Sequence, residues 1–151
     1  MELDQCVTFT GRVDDATLLT ILSTADICVN PDRVTTMTDM STMNKIMEYM
    51  ALGKPIVQFE VHEGRYSAQE ASLYARANDP VDFADKMLEL IDNPDERQQM
   101  GEFGLRRVRD VLSWEHQGPK LLEAYDALFN LRRARRSWLN MMRRCFGYLG
   151  G

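Results

Sequence analysis

The run from Ser41 to Val57 limits the possible folds more than any other part of the chain. Ser41-Thr42-Met43-Asn44 reads as a polar turn, and Ser41 is a good helix cap. An amphipathic helix follows and stops at Gly53, and Pro55 to Phe59 then reads as a buried strand. A helix that turns straight into an apolar strand is half of a βαβ unit, so the sheet should be parallel and covered by helices. The same run carries chemistry. Backbone N–H groups at a helix N-terminus with Lys45 beside them suit an anion. Glu48 lies three residues on and shares Lys45's face. A cationic end with a carboxylate one turn deeper suits a ligand bearing both phosphates and hydroxyls, a sugar nucleotide among them.

Other elements support an α/β class. Val7–Thr10 is a short β-prone run closed by Gly11, and Asp14 or Asp15 can cap a helix reaching about Ser23. Asp26–Asn30 reads as a buried strand ended by Pro31, and Ser72–Ala75 as another strand. Asp79-Pro80 and Asn93-Pro94 each open a helix, and Ser113-Trp114 opens a long final one. Asp32–Met40 and Glu60–Glu70 lack apolar periodicity and are expected to be loops. Both follow strands, so they should project, with Gly11 and Arg12, from the carboxyl edge of the sheet, where parallel sheets bind ligands. Only about four strands are expected, fewer than a free-standing doubly wound sheet usually has, and the chain reads like the back part of a larger domain.

Bulk properties exclude several classes. The 151 residues carry a net charge of −5, which argues against a general nucleic-acid binder. Three cysteines, Cys6, Cys28 and Cys145, are far apart and form neither a disulfide framework nor a metal motif. Two histidines, His62 and His116, without clustered cysteines argue against a zinc site. No metal or cofactor is expected, and a reducing cytoplasm fits best. Charge is uneven, however: from Leu131 to Gly151 there are six arginines and no acid. With Trp138, Leu139, Met141, Met142 and Phe146 among them, this segment has two readings. It is a basic amphipathic helix at a membrane surface, or a helix that packs on another domain.

Four segments, in order, resemble one family. Val7-Thr8-Phe9-Thr10-Gly11-Arg12-Val13 matches V-x-F-x-G-x-V, and Ala25-Asp26-Ile27 to Pro31 matches A-D-(V/I)-x-(V/L)-x-P. Lys45 to Val57 matches K-x-x-E-Y-M-A-x-G-K-P-V-V. Asn93 to Val108 with Ser113-Trp114 matches the ending. Over roughly residues 6–128 the chain resembles the C-terminal, donor-binding part of a retaining GT-B glycosyltransferase of group 1 (family 4), with residues 129–151 as a basic tail.

The resemblance implies a partial Rossmann-like parallel sheet flanked by helices, and a UDP- or GDP-sugar as donor. It implies that the acceptor docks mainly on a separate N-terminal domain. Glu48 takes the place of the second Glu of the family's E-x7-E pattern, assigned to the nucleotide ribose. Lys45 and the backbone of Ser41, Thr42, Met43 and Asn44 would meet the diphosphate. Gly11 and Arg12 would lie near the base or phosphates, and Glu70 would be a further donor-site residue. The first Glu of the pattern falls on Met40, and Asp39 is the adjacent carboxylate. The expected function is a glycosyltransferase fragment that binds a nucleotide sugar and is inactive alone. The alternative is a nucleotide-binding or interaction module without turnover.

Overall fold

The computed structural model describes the backbone of residues 5–146, with side chains through residue 133 and at Arg136. The chain divides into two compact units, Met1–Arg109 and Asp110–Gly151. The first holds the sheet. Its strands are β1 (Cys28–Asn30), β2 (Ile56–Phe59) and β3 (Ser72–Ala75), all parallel and ordered β1-β2-β3. Helix α1 (Asp15–Thr24) precedes β1, and α2 (Thr36–Asp39) and α3 (Asn44–Ala51) link β1 to β2. Helix α4 (His62–Ala68) and a 3-10 turn (Gln69–Ala71) link β2 to β3, and α5 (Pro80–Asp92) and α6 (Pro94–Arg107) follow.

Successive strand residues face opposite sides of a sheet. On one side Val57, Phe59 and Ala75 form a core with Phe83 and Leu90 of α5 and Met100 of α6. The Phe59 and Phe83 rings stand 4.9 Å apart, tilted by 59°. In-register Asn30, Gln58 and Tyr74 share the other side. Helix α3 packs against β1 and α6 and buries Ile46 and Met50.

Helix ends follow local chemistry. Asp14 caps α1 by accepting from the Thr17 N–H at 2.7 Å. Asp79 caps α5 and Asn93 caps α6, each followed by Pro at the first helical position. Gly53 ends α3 at φ 65°, with Gly53 N–H donating to Met50 O and Lys54 N–H to Tyr49 O, the paired bonds of a Schellman stop. A side chain at Gly101 of α6 would overlap the Gly53 carbonyl, and Gly104 abuts Met50. The two glycines let α6 lie close against the end of α3.

Four local expectations are corrected. Val7–Thr10 joins no sheet and is exposed, Phe9 by 94%. A β-prone run becomes a strand only when a neighbour takes its hydrogen bonds, and no described strand lies beside it. Thr36–Asp39, placed in a loop by sequence, is a helical turn held by a Thr35/Thr38 capping box. The expected Glu60–Glu70 loop is mostly α4. Ser41 caps nothing, because its hydroxyl donates back to Met37 O at 2.6 Å, and Met43 is the N-cap residue of α3.

In the second unit a π-helical turn (Val108–Leu112) begins within the first and leads to α7 (Trp114–Phe146), a helix of 33 residues. The boundary drawn at 128/129 from sequence falls inside α7. The side chains behind the membrane reading, from Trp138 onward, lie outside the described residues, as does the chain from Gly147. No helix among the described residues is long and apolar enough to cross a membrane.

Candidate functional site

The carboxyl edge of the sheet is built around the start of α3. No side chain caps that N-terminus; Ile46 N–H donates to Met43 O at 3.0 Å, which leaves the Asn44 and Lys45 N–H groups to solvent or a ligand. Lys45, in the first turn, is held by Asp32 at 2.8 Å, both half exposed. Asp39 accepts from the His62 N–H at 2.7 Å, supplying the cap that Val61 cannot give to α4. Thr42 donates to Glu63 Oε1 at 2.8 Å. These two bonds fasten the approach to α3 onto the first turn of α4. Asp39, Ser41, Thr42, Met43, Asn44 and Lys45 are therefore gathered on one edge with His62 and Glu63.

Glu48 is one turn further along α3 and exposed. It lines a groove of about 370 Å³ with Asp15, Leu18, Leu19 and Leu22 of α1 and with Ala51 and Leu52. The walls are mostly leucine, and the two carboxylates are the polar groups in them. An apolar slot with a carboxylate at its side can take a flat base together with a vicinal diol, since an ionised carboxylate accepts two such bonds. Gly11 and Arg12 are exposed just before α1, with Gly11 at φ 64°. Among the described residues no three His, Cys, Asp or Glu side chains gather as metal ligands do.

Glu70 is elsewhere. Helix α4 runs back across the sheet, so Glu70 stands two residues before the first residue of β3, at the amino edge. Any connection between parallel strands must return to the amino edge before β3, so the expected carboxyl-edge position of Glu70 is corrected. It lines a separate cleft with Arg65, Tyr66 and Tyr74.

Sequence reasoning missed the polar row beneath α4. Gln58 is fully buried on the central strand, and Asn30 is 3% exposed beside it. Neither amide atom of Gln58, nor Asn30 Oδ1, finds a hydrogen-bond partner. A Cβ at Gly64 would stand 2.5 Å from Gln58 Oε1, so this glycine makes room for the amide. The available signal was a Gln inside an otherwise apolar strand followed six residues later by a Gly. Tyr74, in register with Gln58, has its phenol pushed up to about 12, mainly by burial and opposed by Arg65.

The fold is shared with a sucrose-phosphate synthase from Thermosynechococcus elongatus. The structures align with a TM-score of 0.69 at 23% identity, over 85% of this chain and 32% of that one. This chain thus spans about a third of the length of the structure it matches, and its fold is the Rossmann-like C-terminal half of GT-B. No curated protein sequence gives a significant match. The family model for glycosyl transferases group 1 matches residues 1–93, more than half of the 151. By that match the chain belongs to the glycosyl transferases group 1 family.

Proposed function

We propose that this chain binds the nucleotide-sugar donor of a glycosyltransferase, as one wall of a cleft whose acceptor side is another domain. The observation that carries the reading is the placement of Glu48. It sits beside a leucine-walled groove, one turn from an uncapped helix start that bears Lys45. The base enters the groove, the ribose diol meets Glu48, and the diphosphate meets Lys45 and the α3 backbone from Ser41 to Asn44. Gly11 and Arg12 flank the base, and Asp39 faces the sugar where the family pattern has Glu. The donor is a UDP- or GDP-sugar, and the family is of the retaining kind, so the donor phosphate serves where no general base stands.

Calorimetry with UDP-glucose and GDP-mannose tests the site. Glu48→Ala should weaken the better donor by about 1–3 kcal/mol, the range for a lost charged hydrogen bond. Lys45→Ala should weaken the diphosphate far more than the bare nucleoside. Unchanged affinity in a folded Glu48→Ala protein removes Glu48 from the site. The second reading, a nucleotide-binding module without turnover, is favoured by Met40 at the first Glu position. It predicts these same binding results with no transfer even when an acceptor domain is supplied.

A further inference from the structure

The outer face of α4 carries a cleft that the donor reading does not use. It measures about 670 Å³, within the range of ligand sites. His62, Arg65, Tyr66 and Gln69 line it at the spacing of one helical face. Ser72 and Tyr74, alternate residues of the edge strand β3, form the floor. No residue of the α3 turn lines it.

The walls are held in place. Tyr74 donates to Gln69 O at 2.8 Å, and the Arg65 guanidinium lies 4.3 Å above the Tyr74 ring. Arg65 is fixed in turn by Glu60 at 2.8 Å. Arg107 of α6 donates to the carbonyls of Tyr66 and Ser67, both at 2.8 Å, and so pins the end of α4. Gln69 is kept at φ 48°, a strained conformation for a residue with a side chain.

The lining decides the ligand class. Arg65 is offset by Glu60 and Glu70, so the cleft has no excess of positive charge to attract a phosphate. Too many of its groups are polar for a purely apolar ligand. It does have a tyrosine ring 63% exposed at Tyr66, with an amide, a carboxylate and a hydroxyl around it, while the Tyr74 ring below is covered by Arg65. Apolar C–H faces with hydroxyls at their rims match that set, because rings take the faces while carboxylate and amide take paired hydroxyls. From His62 to Gln69 the helix rises about 10 Å, enough for two or three sugar units. We propose that this cleft binds a neutral oligosaccharide, separately from the nucleotide site.

The test is an amide NMR titration of the full chain with maltotriose, cellotriose and chitotriose in turn. At least one should shift the amides of residues 65–74 more than those of Asn44–Glu48. Tyr66→Ala and Glu70→Gln should each weaken that binding about ten-fold, a loss of roughly 1.4 kcal/mol. Both side chains are exposed, so unchanged melting temperatures will show the fold intact. Absence of shifts in residues 65–74 with all three sugars, or shifts that survive both substitutions, overturns the proposal. A parallel titration with UDP-glucose, read at Asn44–Glu48, reports on the donor reading alone, so the two can fail independently.

Discussion

Lys45 is already neutralised before any ligand arrives. Its pair with Asp32 is half exposed, and such pairs stabilise by only about 0–1 kcal/mol, so a diphosphate can displace the carboxylate at little cost. Asp32→Asn should tighten nucleoside diphosphate binding a few-fold and leave the nucleoside unchanged, as measured by calorimetry. Gln58 illustrates the opposite case, a polar group with nothing to bond. Gln58→Met keeps the shape and removes the orphaned amide, and should raise unfolding stability by about 1–3 kcal/mol in urea titrations. A loss of stability would mean that the amide has a partner, such as an enclosed water. Tyr74 gives a pH signature. Its pKa is raised above the unfolded value, so its contribution is complete below pH 10 and is lost as pH climbs toward about 12. Tyr74→Phe should flatten that alkaline decline in pH-dependent melts.

Among elements, α6 is the one whose placement depends most on missing side chains. Gly101→Ala would drive a methyl into the Gly53 carbonyl and should cost about 2–3 kcal/mol, the upper range for overpacking, read as a lower urea midpoint. The helices α5 and α6 were legible because Asp-Pro and Asn-Pro write the cap and the first helical position into two adjacent residues. The central strand β2 was legible because burial on both faces makes a mostly apolar run, and β1 and β3 because short β-prone runs stand between turn and cap residues. By contrast α4, His-Glu-Gly-Arg-Tyr-Ser-Ala, has no apolar period at all. Its ends are fixed from outside, by Asp39 at the start and Arg107 at the finish, and such partners are invisible to a local reading. Glu70 was misplaced by assigning the whole 60–70 connection to the carboxyl edge, although its last residues must return to the amino edge to enter parallel β3. Val7–Thr10 failed for the converse reason, since its pattern was right but pairing is a property of two strands. Of the candidate site, the gathering of Asp39 to Lys45 on one edge was foreseeable from strand–helix order. The leucine groove beside Glu48 was not, because it needs α1 against α3.

At the scale of the molecule, the proposed reading makes the first unit the donor wall of a cleft whose acceptor wall is another domain. Transfer depends on holding two reactants in near-attack geometry. The 151 residues alone should therefore bind a nucleotide sugar and transfer nothing, in a radiolabelled-donor assay with a panel of acceptors. Robust turnover would contradict the reading. The Asp39–His62 and Thr42–Glu63 bonds have a consequence for this larger scheme. They join the turn that would meet a diphosphate to the helix whose far side forms the glycan cleft, so α4 serves as a common wall between two compartments. A ligand that pulls Asp39 off His62 uncaps α4 and alters what the cleft can hold. Thermodynamic linkage then requires symmetry: if a trisaccharide changes the affinity for UDP-glucose by some factor, UDP-glucose changes the affinity for the trisaccharide by the same factor.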